Sequence, residues 1–262
     1  MAKSKHYYIR KTHRYLGVIL GIQFFMWTIG GLYFSWTNID EIHGDFQKKD
    51  ASLLSANLEL VTPAFVFNNI KKEKEIDSII TIQLVEILGK PFYYVQSKNE
   101  DNNHNIQIEQ QLADAVTGEL RNPLTKEEAI QIAANRFNGE PTVESIEYLT
   151  AMNTHHEYRE NPLPAYAITF SHPSKTTVYV ASELGTVQKF RNNKWRIFDF
   201  LFMMHTMDYQ SRDNFNNLLL RIFSLFGLIT IISGFTLFFV SGKTLRNRKK
   251  RLLAISKERK ID

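Results

Sequence analysis

Histidines are the residues of this chain with the greatest chemical potential, because it has eight of them and no cysteine. Near neutral pH, imidazole serves as a general acid or base and as a common metal ligand. Three histidines flank two long apolar segments: His13 precedes the first, His43 follows it, and His205 precedes the second. Any chemistry of this chain is therefore expected at the ends of those segments.

The remaining histidines carry weaker signals. His6, His104 and His172 lie in polar surroundings, where a solvated side chain is the simplest interpretation. The run His155-His156-Glu157 looks like part of a metal site, but we interpret it as a loop, since adjacent side chains on a strand point to opposite faces. The sequence contains no metalloprotease motif, phosphate loop or nucleophile elbow, so hydrolysis is the least expected activity.

Two uncharged apolar segments predict membrane-spanning helices. The first, residues 15–37, has 23 residues, which as a helix extend about 35 Å. The second, residues 217–241, contains 19 uncharged residues from Ile222 to Val240. Both lengths suit a hydrocarbon core about 30 Å thick. No histidine lies inside either predicted span.

The charge distribution predicts the topology. The net charge of +5 could suggest nucleic acid, but the basic residues cluster in 1–14 and 242–262, beside the apolar segments. Positive flanks remain on the cytoplasmic side, so both ends are expected in the cytoplasm and about 180 central residues outside. We therefore expect a lipid bilayer, and no nucleic acid, as partner. Gly17-x-x-x-Gly21 in the first segment, and Gly227 and Gly234 seven apart on one face of the second, predict a close helix contact, either within the chain or across a homodimer.

The central region contains a weak internal duplication, with one unit at 38–122 and another at 123–192. Each unit is predicted to have a helix followed by about four strands. Thr62 and Thr125 are expected helix N-caps, and Thr125-x-x-Glu128 fits a capping box. Residues 193–216 predict an amphipathic helix lying along the membrane.

Matching turns support the duplication. Thr117-Gly118 and Leu184-Gly185 occupy them, and glycine can supply the positive φ that such turns require. Asp114 and Ser182 are expected at equivalent positions before the two turns. The predicted fold class is an α+β membrane protein, in which two transmembrane helices flank a tandem domain of helix plus antiparallel sheet.

Several motifs carry a family resemblance. Asp114-Ala-Val-Thr-Gly-Glu119 resembles the strand–turn signature of the PepSY domain. The spans resemble the PepSY-associated transmembrane family through Thr12-His-Arg-Tyr-Leu-Gly17, Trp27-Thr-x-Gly30, the run from Trp195 to His205, and Ile232-Ser-Gly234. The resemblance implies a bacterial plasma-membrane protein related to iron-uptake proteins, including siderophore reductases that carry haem. Many such relatives have four spans, whereas this chain has two.

The resemblance implies that His13, His205 and His43 are haem ligands. Two imidazoles can hold haem iron, and His43 and His205 are both expected outside, whereas a membrane thickness separates His13 from them. A homodimer would pair two copies of His13 and two of His205, which would stack two haems across the membrane. The alternatives are a snorkelling His13 and a His205 that only docks an amphipathic helix. Three charged residues lie near His205 in the sequence: Asp199, Asp208 and Arg212. They could orient His205 through hydrogen bonds, or they could form a solvated cluster.

Three functions stay open at this point. The chain could pass electrons through haem to a ferric chelate captured by the outer domain. It could instead be a non-enzymatic module whose sheet edges bind a peptide or partner protein. It could also be an accessory subunit of an iron transporter. Whether the protein is an enzyme is left open.

Overall fold

The computed structural model of the protein describes residues 5–100, 106–212 and 214–258. Its elements follow this order: α1 (Lys5–Trp36), α2 (Ile39–His43), a 3₁₀ turn (Asp45–Gln47), α3 (Pro63–Glu73), β1 (Ser78–Ile87), β2 (Lys90–Glu100), β3 (Ile106–Asp114), β4 (Leu120–Arg121), α4 (Lys126–Arg136), β5 (Val143–Leu149), β6 (Ala165–Phe170), β7 (Thr177–Ala181), β8 (Thr186–Arg191), α5 (Asn193–Thr206) and α6 (Leu218–Glu258).

The chain divides into two compact units. The sheet unit comprises residues 37–198, and the helical unit comprises the described residues before and after it. The sheet unit contains two four-stranded antiparallel meanders, ordered β1-β2-β3-β4 and β5-β6-β7-β8. The predicted combination of helices and antiparallel sheets between two apolar helices is therefore confirmed.

Strand β2 shows why the first sheet is covered on both faces. Successive side chains of a strand point to opposite faces. Phe92 and Tyr94 join the main core, while Tyr93 and Val95 pack with α3. The main core also contains residues of α4 and of the second sheet: Ala129, Ile132, Ala133, Phe137, Ile168, Phe170, Val178, Val180 and Phe190. Burial of these side chains, rather than disulfides, holds the unit together.

Helix caps and turns follow the sequence prediction. Thr62 Oγ1 accepts a hydrogen bond from the Phe65 backbone N–H, and Thr125 forms the reciprocal capping box with Glu128. Gly118 and Gly185 have φ values of +76° and +72°, so both turns use the left-handed region that favours glycine. These local predictions are confirmed.

The two halves of the sheet unit repeat the same backbone hydrogen bonds before their turns. The Ala115 N–H donates to Pro91 O at 3.0 Å, and the Ser182 N–H donates to Pro164 O at 3.0 Å. Their carbonyls accept in turn from the residue before each N-cap, Val61 at 2.9 Å and Leu124 at 2.8 Å. Ser182 is therefore the counterpart of Ala115.

The expected equivalence of Asp114 and Ser182 is consequently wrong by one residue. Gly118 N–H donates to Asp114 O, and Gly185 N–H donates to Ala181 O, so Ala181 is the counterpart of Asp114. The Asp114 carboxylate also accepts hydrogen bonds from the backbone N–H groups of Val116 and Thr117, at 2.8 and 2.9 Å. Ala181 has no side-chain acceptor, so its side chain cannot make these two hydrogen bonds in the second turn.

The helical unit contains two helices long and apolar enough to cross a membrane, at Arg10–Trp36 and Leu218–Phe239. Only 17% and 11% of their most apolar windows are buried, unlike the core helix of a soluble protein. The first of these apolar stretches begins before residue 15 and includes His13. Helix α6 continues to Glu258, and most of the basic tail is therefore helical.

Gly227 and Gly234 bring α1 and α6 together, as their spacing predicts, whereas the G-x-x-x-G glycines do not. A Cβ added at Gly227 would lie 3.2 Å from Phe24 Cζ, and one at Gly234 would lie 3.5 Å from His13 Cε1. By contrast, a Cβ added at Gly17 or Gly21 would meet no atom within 4 Å. The G-x-x-x-G motif therefore makes no close contact among the described residues of one chain.

Helix α5 ends at Thr206 instead of continuing to residue 216. The last carbonyls of a helix lack intrahelical partners. Here Gln23 Nε2 donates to Met204 O at 2.8 Å, and Trp27 Nε1 donates to His205 O at 3.0 Å. Helix α5 therefore ends against α1, and the predicted continuation to residue 216 is corrected to an end at Thr206.

Candidate functional site

His13 has a defined hydrogen-bond partner across the helix pair. Its Nδ1 lies 2.8 Å from Ser233 Oγ, which is itself 2.8 Å from Thr230 O. Because a hydroxyl has one proton and donates it to the Thr230 carbonyl, Ser233 accepts from the His13 Nδ1–H. The neutral His13 ring therefore has its lone pair on Nε2, the atom that could bind a metal.

His205 lies against aromatic residues of α1. Its exposed ring is 5.7 Å from the Trp27 ring and 6.3 Å from the Phe34 ring, measured between centroids. His13 precedes Trp27 by 14 helical residues, which is about 21 Å along the axis. A single chain therefore does not bring His13 and His205 together. His43 belongs to the sheet unit, and the described residues contain no group of three or more His, Cys, Asp or Glu that could hold a metal.

The charged residues near His205 are buried instead of solvated. Asp199 is 4% exposed and forms an ion pair with Arg212. Asp208 is 6% exposed and accepts hydrogen bonds from the Ser211 hydroxyl and the Asn214 backbone N–H. The interpretation as a solvated cluster is therefore wrong, and these residues fold the turn between α5 and α6.

Glu157 anchors a polar network across the second sheet. Its carboxylate accepts from Arg196 Nε at 2.7 Å, from Arg196 Nη2 at 2.8 Å and from the Tyr179 hydroxyl at 2.7 Å. Burial alone would raise the pKa of Glu157, but these hydrogen bonds and the charges of Arg196 and Arg191 hold the pKa below its ordinary value. The adjacent His156 Nδ1 accepts from a backbone N–H at 3.1 Å. His155-His156-Glu157 thus serves the loop structure.

A cavity of about 500 Å³, which we name the cationic pocket, opens beside strand β8. Four of its side chains are cationic, and its complete lining is His43, Lys48, Arg136, Val187, Gln188, Lys189, Phe190, Arg191 and Trp195. Burial, together with the charges of Arg191 and Lys48, lowers the pKa of Lys189, although Glu160 partly opposes this. The pocket is therefore a place where positive charges are held close to one another.

The comparisons with known proteins identify one domain. Residues 123–189 match the family described as peptidase propeptide and YPEB domain, PepSY. This stretch is therefore similar to a PepSY domain. The match covers 67 of 262 residues and includes α4 and nearly all of the second sheet. No curated protein and no solved structure matches the chain. With its two apolar helices, the chain fits a membrane-anchored PepSY protein, and nothing in the comparisons points to iron uptake or haem.

Outside the PepSY match, strand β1 forms a long open edge of the first sheet. It has ten residues, it pairs only with β2 among the described strands, and its one charged residue is Glu86. Ile80 is 51% exposed and Leu84 is 44% exposed. The other edge of this sheet, β4, has only two residues. Strand β1 is therefore the edge best suited to pair with another chain.

Sequence reasoning missed both the cationic pocket and this edge. The pocket joins the segment near Lys48, the end of α4 and strand β8, which are distant in sequence. The only local signal is Lys189-x-Arg191, because alternate residues of a strand share a face. The edge position of β1 depends on strand order, which the pattern of apolar residues does not specify.

Proposed function

We propose that this protein is a membrane-anchored PepSY module whose sheet unit binds an extended segment of a partner protein. It would lie in the bacterial plasma membrane with both termini in the cytoplasm and the sheet unit outside. The basic residues at 1–14 and 242–262 support this orientation, because positive flanks stay inside. The exposed apolar surfaces of α1 and α6 support the bilayer as partner.

Residues 38–122 would form a second PepSY-like unit. Each half has a threonine-capped helix followed by four antiparallel strands. The paired hydrogen bonds at Ala115 and Ser182 support the relationship, because they place the same strand–turn geometry in both halves. The protein would then present two such units in tandem.

The observation that carries the binding proposal is the open edge of β1. An edge strand presents unpaired backbone N–H and C=O groups, and proteins usually protect such edges with charges, proline or a short strand. Strand β1 has no proline and one charge; its register shifts at Ile80, which has no partner on β2, and residues 81–87 form the regular stretch of the open edge. An extended peptide added there would gain backbone hydrogen bonds and contact Ile80 and Leu84.

Lysines on this edge should weaken partner binding. In the double variant Ile80→Lys/Leu84→Lys, a pairing strand would have to desolvate two charges, whereas both side chains are exposed enough for the fold to persist. The measurement is recovery of a defined partner with the full-length protein, purified from membranes in mild detergent. We expect recovery to fall at least about tenfold, the equivalent of 1.4 kcal/mol.

The matched control is Leu53→Lys, at a residue that is 96% exposed and outside every strand. This variant should recover the partner as well as the unmodified protein. Equal recovery with the edge variant and the control, at unchanged thermal stability of both, would exclude β1 as the binding edge.

Haem-dependent electron transfer is a second candidate, and the orientation of His13 favours it. The hydrogen bond to Ser233 leaves Nε2 with a lone pair, and the His205 ring is exposed, so each residue could supply one imidazole ligand to haem. The second ligand of each pair would come from another copy of the chain or another membrane protein, such as an iron-transport subunit. Bound haem would supply one-electron chemistry, and His43 would be a third candidate ligand.

Absorption spectroscopy tests this candidate. The full-length protein, purified in detergent from haem-supplied cells, should show a Soret band that shifts with dithionite. His13→Ala and His205→Ala should each reduce the haem content by about half, since each would remove one of two sites. His155→Ala, at an exposed loop residue, should leave it unchanged. A wild-type preparation without a Soret band would eliminate haem from the function.

A further inference from the structure

We propose that the cationic pocket binds the phosphate group of an anionic ligand. The phosphate would belong either to the headgroup of an anionic phospholipid or to a soluble phosphate compound. This site is separate from the β1 edge and from the three histidines proposed as haem ligands, apart from His43 at its margin.

The fold builds the pocket by joining three segments. The Lys49 N–H donates to Arg136 O at 2.8 Å, and Arg136 Nε donates to Lys49 O at 2.9 Å, which fixes the Lys48 segment beside the end of α4. Strand β8 supplies Lys189 and Arg191 from its edge. The cations are therefore held in place by backbone contacts instead of being scattered along a flexible loop.

The charge of the pocket is opposite to that of the unit around it. Residues 37–198 contain 16 basic and 22 acidic residues, a net charge of −6. Four cationic side chains nevertheless line this one cavity, and no carboxylate is among its lining residues. Like charges held this close repel one another, and a bound anion would reduce that repulsion.

Arg191 is held in a position suited to phosphate. Its guanidinium carbon lies 3.9 Å from the centroid of the Trp195 ring, and its Nε donates to Glu157 O at 3.0 Å. Its Nη1 donates to Phe190 O at 3.3 Å, so stacking and these two bonds fix the planar guanidinium, whose positive charge would attract a phosphate in the pocket.

Lysines complete the set of donors. Lys48 pairs with Asp45 at 2.6 Å, but both side chains are well exposed, and such surface pairs contribute little. Its ammonium can therefore turn to a phosphate at low cost. The lowered pKa of Lys189 is consistent with an ammonium that faces other cations. Phe190 and Trp195 add apolar surface, so the ligand would carry an uncharged portion beside its phosphate.

The test uses the full-length protein in a neutral detergent and two probes. Inorganic phosphate and short-chain phosphatidylglycerol are titrated separately by calorimetry, with phosphatidylcholine as the zwitterionic reference. Saturable binding of inorganic phosphate would assign a soluble ligand, and binding of phosphatidylglycerol alone would assign a lipid headgroup. Binding of neither probe, or equal binding of phosphatidylcholine and phosphatidylglycerol, would overturn the proposal.

Matched variants locate the binding. Lys48→Gln/Lys189→Gln removes two pocket cations and should weaken binding by at least about tenfold, because each charged hydrogen bond is worth that much. Lys90→Gln/Lys126→Gln removes the same charge at exposed residues outside the pocket and should leave the affinity unchanged. Equal affinity for the two variants, with both folded by thermal denaturation, would contradict the assignment.

Discussion

Replacing Phe137 with alanine is expected to destabilise the sheet unit by about 3–5 kcal/mol. Phe137 is 2% exposed, and its ring lies 4.9 Å from that of Phe170. It belongs to the core in which α4 meets residues of both sheets, so the cavity would weaken the two halves together. Thermal denaturation of the full-length protein in detergent should show a fall of about 10 °C in the transition of the sheet unit.

The control for this prediction is Phe46→Ala, which removes the same side chain where it is 63% exposed. Its effect should remain within about 0.5 kcal/mol, as for most surface substitutions. Similar effects of the two substitutions would show that burial of Phe137 in the main core does not stabilise the sheet unit.

Removing Arg196 should produce the second largest loss of stability. Arg196→Ala leaves the Glu157 carboxylate, which is 19% exposed, without its cationic partner and with the Tyr179 hydroxyl as a hydrogen-bond donor. Breaking a buried ion pair costs about 3–5 kcal/mol. Since the Arg196 side chain is about one third exposed, solvent screening reduces the expected loss to about 2–3 kcal/mol. Urea denaturation measures it.

An exposed ion pair provides the control. Glu144→Gln removes a partner of Lys175 in a pair whose side chains are 40% and 53% exposed. Its effect should be below about 1 kcal/mol. If Glu144→Gln lowers the free energy of unfolding as much as Arg196→Ala does, burial is not the reason that the Glu157 network stabilises the fold.

Arg196→Ala should also change how strongly acid destabilises the fold. The pKa of Glu157 is lowered in the folded protein, so its stabilisation is complete above the pKa of the unfolded chain, about 4.3. This stabilisation is lost as the pH falls through the lower, folded pKa. Arg196→Ala raises the folded pKa, so the variant should show a smaller acid-induced loss between pH 6 and pH 3 than the wild-type protein.

The sequence predicted the features that depend on short-range patterns. The uncharged run around Gln23 and that of α6 predict the helices, because lipid requires apolar side chains and a satisfied backbone. Thr62, Thr125 and the turn glycines are equally local, because a cap or a positive φ involves only a few neighbouring residues. These signals need no knowledge of distant contacts.

The remaining features arise from contacts between distant residues. Helix α5 ends at Thr206 because Gln23 and Trp27, about 180 residues earlier, donate to its last carbonyls. Glu157 appeared beside two histidines in the sequence, but its partner Arg196 comes from α5. The shift from Asp114–Ser182 to Asp114–Ala181 likewise required the hydrogen bonds of both turns. The cationic pocket has only Lys189-x-Arg191 as a local signal, and the edge position of β1 has none.

Photo-crosslinking at β1 tests the central proposal most directly. A photoreactive residue replaces Ile80, or Leu53 as the control, in the full-length protein, and intact cells are irradiated. Strand addition at β1 predicts a discrete higher-mass adduct from position 80 that is absent at position 53 and is lost when Leu84→Lys is added. An absence of adduct at position 80, or the same adduct from both positions, would contradict binding at this edge.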